Sequence, residues 1–196
     1  MLAERGHSTP KLIRQLNPSV VWGRTTAGTS VNLPDVQNAK KAAKAVSLLI
    51  ALGGRTLDAY DAQGTVLAHF PCSIARRPEK RLQGKQTVTK IAHHPTYVFD
   101  PKNFPEVEQA AQTRRLIPSG PNNPVGTIWI GLNATGYGIH GTPHPEAVGR
   151  TGSHGCFRLA NWNVEKLEDM IAIGTSVLIE GDAIAPERDD LNLAVR

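Results

Sequence analysis

Two short segments of this chain hold the side chains that nucleophilic catalysis needs. One is GIHGT (138–142), in which Gly141 follows His140 directly; the other is SHGCFRL (153–159), in which Cys156 follows Ser153, His154 and Gly155 and precedes Phe157 and Arg158. A cysteine attacks a carbonyl as its thiolate, and a free pKa of roughly 8.5 leaves little of that form at neutral pH. An imidazole beside it takes the proton and later returns it to the leaving amine. That imidazole must be held in one tautomer by an acceptor on its other nitrogen. No acid adjoins either segment, so a backbone carbonyl around Gly141 is the expected acceptor. Glycine just before a nucleophile lets the backbone turn tightly, so that the N–H groups of Gly155 and Cys156 can face a developing oxyanion.

The remaining reactive side chains have plainer readings. Cys72 sits in the apolar stretch TVLAHFPCSI and reads as a small buried hydrophobe. Two cysteines in 196 residues are no disulfide framework. His93, His94, His140, His144, His154 and Cys156 lack the short helical spacing of zinc ligands, so a zinc hydrolase is only an alternative reading, and the thiol chemistry needs no metal and no other cofactor. His154 reads as structural or orienting. The basic run Arg76, Arg77, Lys80, Arg81 and Lys85 reads as a solvated loop before it reads as an anion-binding rim. Trp129 and Tyr137 either line a cleft or pack a core. A net charge of +5 favours an acidic partner, but no nucleic-acid-binding signature accompanies it and aromatics are only 5%.

The elements that must position these groups are mostly strands. SLLIAL, TLDAYD and TVLAHFPCSI, with a turn at DAQG (61–64), read as an antiparallel meander. TVTKIA (87–92), TIWIGL (127–132) and GYGIHG (136–141) follow as further strands. The Pro- and Asn-rich stretch 93–124 is too long for a plain connection and is expected to cover a cleft. One helix is expected near the C-terminus, N-capped by Asn163, with Val164, Leu167 and Ile171 on one face and Gly174 as its stop before the strand TSVLIE. Residues 1–43 read as a small module or extension with turns at Asn17-Pro18 and Ala27-Gly28, and 182–196 as a polar tail. MLAERGHSTPKLIRQLNP has no apolar core or cleavage site of a secretory signal, and the apolar run Ala45 to Leu52 is too short to span a bilayer. The expected fold is mainly β, a sandwich-like or partly closed antiparallel sheet with one or two helices.

The pattern HGT(x)10SHGCFRL resembles the signature of the L,D-transpeptidase catalytic domain family. IPSGPNNPVGTIWIGL resembles the stretch before that family's catalytic histidine, and LANWNVEKLEDMIAIGTSVLIEG its closing helix and strand, so the likeness covers residues 45 to 181. It implies Cys156 as nucleophile and His140 as general base, with the Gly141 carbonyl orienting that base. Ser153, His154 and Gly155 fall on the nucleophile turn and oxyanion hole. Arg158 falls on an arginine suited to a stem-peptide carboxylate, whose two oxygens match its planar fork. Phe157 departs from the smaller aliphatic residue common there, and ARRPEKRLQGKQTVTK (75–90) departs from the family's usual pocket rim. The implied activity is peptidoglycan L,D-transpeptidation through a cysteine thioester, with carboxypeptidase or endopeptidase action and a non-catalytic wall-binding module as alternatives. Implied partners are peptidoglycan stem peptides as donor and acceptor, with a wall-anchored lipoprotein as another acceptor. A monomer in the periplasm or cell envelope, inhibited by carbapenem-type drugs, is the accompanying expectation.

Overall fold

The computed structural model describes residues 2–36, 43–101, 113–120, 122–150 and 152–181. The chain forms two compact units, residues 1–41 and 42–196. In the first, α1 (Leu2–Arg5) and α2 (Pro10–Leu16) are the regular elements. Thr9 caps α2 by accepting from the Leu12 N–H (3.2 Å), and Pro10 follows as a first helical residue that needs no donor. Buried Asn17 ties the unit together: its amide donates to the carbonyls of Ile13 and Asn32, and its Oδ1 accepts from the Asn32 N–H.

The second unit is a curled eight-stranded sheet in the order β3-β2-β1-β10-β4-β7-β8-β9. Its strands are β1 (Ser47–Ala51), β2 (Thr56–Tyr60), β3 (Val66–Pro71), β4 (Gly84–His93), β7 (Ile128–Leu132), β8 (Gly138–His140), β9 (Phe157–Arg158) and β10 (Ser176–Glu180). The period-2 burial of β1 and β2 shows why they are strands: Leu48, Ile50, Leu57 and Ala59 face the core while their neighbours do not. The meander β1-β2-β3 is antiparallel as the alternation implies. Two pairings are parallel, β1 with β10 and β8 with β9, so the sheet is mixed. One helix, α3 (Asn161–Met170), lies between β9 and β10 in the chain.

Strand β4 bridges the two halves of the sheet. Its first residues pair with β10, its last with β7, and the register shifts between Val88 and Lys90. Such a bulge bends a strand and raises its twist. Beyond β3 the chain meets the other edge of the sheet, because Ser73 bridges Arg158 and Ala75 bridges Ser153. The sheet is thereby partly closed. Inside it, Phe70, Val88, Ile130, Ile139, Phe157 and Ile179 pack against Val164, Leu167 and Met170 of α3. Phe157 is 1% exposed, so the large ring serves packing.

Helix α3 starts at Asn161, with Ala160 as its cap residue, so Asn163 lies within the first turn rather than capping it. The Asn161 side chain is turned inward to the site described below, which fixes where the helix begins. The stretch 93–124 contributes a separate hairpin, β5 (Tyr97–Phe99) with β6 (Arg115–Ile117). Residues 102–112 of that stretch, and the tail from 182, lie outside the described residues. Among the described residues no helix is long and apolar enough to cross a membrane.

Candidate active site

The sheet register lines the candidate residues up in two rows. Trp129 of β7 pairs with His140 of β8, and His140 with Arg158 of β9. In the adjacent row Gly131 pairs with Gly138, and Cys156, one residue before β9, comes opposite Gly138. Residues two apart on a strand share a face, as do direct partners on neighbouring strands. His140, Cys156 and Arg158 therefore lie on one face, the first two with Cα atoms about 8 Å apart by strand spacing. Only glycine fits at 138, where a Cβ would come within 2.7 Å of the Trp129 indole.

His140 is buried, and its Nδ1 lies 2.7 Å from the Gly141 carbonyl oxygen. A carbonyl only accepts, so Nδ1 carries the hydrogen and Nε2 presents a lone pair. The Trp129 ring stacks on the imidazole at 5.4 Å and 16°. Burial pulls the His140 pKa from 6.5 down to about 4, the Gly141 hydrogen bond opposing it and the Arg158 charge adding to it. The ring is therefore held in its neutral form near pH 7.

Cys156 points its thiol at the Gly136 carbonyl (3.5 Å). Burial raises its pKa, while a hydrogen bond from the Gly138 backbone and the Arg158 charge pull the other way. Burial thus pushes both groups away from their charged forms. Arg158 is itself half-buried, with its pKa lowered chiefly by burial.

Ser153 shapes the nucleophile turn. Its Oγ donates to the Cys156 carbonyl and accepts from the Gly155 N–H (3.2 Å). Its backbone is pinned to the opposite edge, Ser153 N–H to Ile74 O and Arg76 N–H to Ser153 O. The Gly155 N–H, expected to face an oxyanion, is instead engaged by the Ser153 hydroxyl. Gly155 packs against the Tyr137 ring, whose hydroxyl donates to the Lys80 carbonyl. His154 is exposed. Cys72 is wholly buried, and burial pushes its thiol up to about 12.

Three site neighbours were not singled out from sequence. Asn161 is 1% exposed, its Oδ1 accepts from the Thr127 N–H, and a Cβ on Gly141 would lie 2.1 Å from it. It wedges the Gly126 and Gly141 backbones together and so fixes the carbonyl that orients His140. Buried Asn123 does similar work for the hairpin, donating to Pro95 O and Pro118 O while accepting from Val125 N–H. Burial raises the pKa of Tyr97 on β5, and Cys156, within electrostatic reach, adds to the shift. An asparagine flanked by apolar residues is the signal for Asn161; Asn123 and Tyr97 give none. Among the described residues no three His, Cys, Asp or Glu side chains converge on a point that could hold a metal.

One consequence can be measured directly. Iodoacetamide should alkylate Cys156 in the native protein at least about a hundredfold faster than Cys72, since only thiolate reacts. The Cys156 rate should climb with pH through a midpoint above that of free cysteine. A plateau already reached at pH 6 to 7 would mean a preformed thiolate–imidazolium pair instead.

Comparison with known proteins gives a consistent result. A family model described as YkuD, the L,D-transpeptidase catalytic domain, matches residues 46–179. A putative L,D-transpeptidase YkuD of Bacillus licheniformis is 26% identical over 172 residues, covering 88% of this chain and 87% of its own length. A putative L,D-transpeptidase YqjB of Bacillus subtilis is 36% identical over 105 residues, 51% of this chain and 52% of that protein. An L,D-transpeptidase structure from Mycobacterium smegmatis superposes with a TM-score of 0.52 at 20% identity, covering 69% of this chain and 58% of that one. L,D-transpeptidase 3 of Mycobacterium tuberculosis with a faropenem-derived adduct gives 0.53 at 18%, covering 69% and 60%. The chain spans about three-fifths of the solved structures it resembles, and that likeness shows the curled, mainly β fold.

Proposed function

This chain belongs to the L,D-transpeptidase catalytic domain family, and from that premise we propose that it is a cysteine acyltransferase forming cross-links in peptidoglycan. The carrying observation is the pairing of a neutral, tautomer-fixed imidazole with a thiol on one face of adjoining strands. Cys156 Sγ attacks the carbonyl that joins the L-centre of a diamino acid to a terminal D-alanine. Its proton passes to His140 Nε2 as the sulfur–carbon bond forms, and the oxyanion lies against the Cys156 N–H. Collapse breaks the carbon–nitrogen bond, His140 gives its proton to the departing D-alanine nitrogen, and a thioester remains. An amine from a neighbouring stem then attacks, loses a proton to His140, and expels the thiolate, which recovers that proton. One amide is exchanged for another, so the step needs no external energy source.

Several features support this assignment of roles. Arg158 supplies a positive charge beside both reacting groups, suited to a stem carboxylate. Trp129 and Ser153 act as positioning residues, the first holding the imidazole and the second the turn; Gly155, His154 and Tyr137 complete that turn and its rim. Tyr97 of the hairpin lies within electrostatic reach of Cys156, in keeping with a site edged by the 93–124 stretch. The faropenem-derived adduct of the Mycobacterium tuberculosis relative is in keeping with acylation by a strained β-lactam. An enzyme with these substrates works in the cell envelope.

Purified disaccharide-tetrapeptide, incubated with the protein and analysed by mass spectrometry, tests the reading. A cross-linked dimer with one D-alanine lost is the expected product. A shortened monomer alone would assign hydrolysis in place of transfer, and unchanged substrate would refute the acyltransferase reading.

A further inference from the structure

A second cavity, of about 290 Å³, opens beside the nucleophile turn, and none of the side chains assigned above lines it. Its walls carry four arginines from separate parts of the chain: Arg55, Arg76, Arg81 and Arg150. They meet because the sheet is partly closed. Gly152 lies so close to the Arg76 backbone that a Cβ there would come within 2.5 Å of it, which brings the segments of Arg76 and Arg150 together.

Two of the four are held in place. Arg55 Nη1 donates to Gly149 O (2.9 Å), and Arg81 Nε donates to Ala75 O (3.1 Å). Arg55 also sits at φ +52°, a left-handed conformation that a long side chain rarely adopts and that glycine would occupy without strain. Residues held in such conformations cluster at functional sites. Among the described residues no carboxylate lies within ion-pair distance of Arg55, Arg76 or Arg150. The three guanidiniums of Arg55, Arg76 and Arg150 repel one another around one small space, and an anion entering it relieves that repulsion. Only Ile74 and Ala75 offer apolar lining, which does not suit a hydrophobic guest.

We propose that this cavity binds a phosphate-bearing ligand with two or more negative charges, of the size of a pyrophosphate group. A single carboxylate would leave most of the positive charge unopposed, whereas tetrahedral phosphate oxygens match several guanidinium forks at once. The basic run at 76–85 is thus divided, Arg76 and Arg81 turning to the cavity wall. The ligand chemistry is common to free pyrophosphate compounds and to phosphodiester polymers.

Calorimetric titration of the full chain at fixed ionic strength tests this, with sodium pyrophosphate, acetate and poly(glycerol phosphate) as probes. Pyrophosphate should bind at least about tenfold more tightly than acetate, and an Arg76→Gln/Arg150→Gln variant should lose about tenfold or more of that affinity. Both side chains are exposed, so the variant should melt as the wild type does. Lys85→Gln/Lys90→Gln removes the same charge away from the cavity and should keep the affinity. Tighter binding of the polymer than of pyrophosphate at equal phosphate identifies a polymer as the source, and the reverse order a small compound. Equal binding of acetate and pyrophosphate, or equal loss in both variants, would overturn the proposal.

Discussion

Cys156→Ala is expected to lower acyl transfer by at least about 10⁴-fold, because nothing else at the site can form the thioester. The expected readout is twofold. Intact-protein mass spectrometry after incubation with a carbapenem should show one adduct on the wild type and none on the variant, and dimer formation from tetrapeptide should cease. The thiol is small and half-buried, so stability should change by less than about 1 kcal/mol. Cys72→Ala inverts the pattern. Removing a wholly buried sulfur leaves a small void and costs about 1 kcal/mol, yet the adduct should form as before. Equal adducts on wild type and Cys156→Ala would remove the nucleophile assignment.

His140→Gln comes second in size, with an expected loss of about 10²- to 10⁴-fold in turnover, the usual contribution of a positioned base. Its effect on pH dependence is more diagnostic. The folded imidazole titrates near 4 and the unfolded one near 6.5. Between these values the unfolded chain binds the extra proton, so stability rises with pH across that window. The contribution is full above 6.5 and is lost as pH falls towards 4, on the order of 3 kcal/mol over the whole interval. Denaturant unfolding at pH 7 and pH 4 should show this difference shrink by about that amount in His140→Gln. Turnover of the wild type should stay free of an acid limb until pH approaches 4. A limb near 6.5 would mean an imidazole exposed to water.

Much of the catalytic unit was legible before any coordinates because its signals are local. The apolar, β-prone runs SLLIAL and TLDAYD report strands from their own residues, and HGT followed by SHGC is read within two short segments. Asn161 was not legible, since its worth comes from packing against Gly126 and Gly141, two glycines that sequence alone does not bring together. The helix start was misjudged for the same reason: Asn163 has the better local credentials for a cap, and Asn161 is held inward by tertiary contacts. The parallel pairing of β1 with β10 joins strands from the two ends of the unit, which no strand pattern encodes. Among the first 36 residues the Thr9-Pro10 pair is a readable helix start, while the Asn17–Asn32 hydrogen bonds that tie that unit together are long-range. Arg55 and Arg150 lie far from the run at 76–85 in sequence, so their convergence could only emerge with the closed sheet.

The bridges from Ser73 to Arg158 and from Ala75 to Ser153 give that closure a temporal meaning. They are a seam between the two edges of the sheet, and the nucleophile's turn is stitched into it. Contacts between such distant stretches of chain are costly to form early and come late in folding. A ribosome must have delivered nearly the whole unit before the seam can shut, so partly made chains would carry an ordinary thiol. Reactivity would then be a certificate of completed assembly.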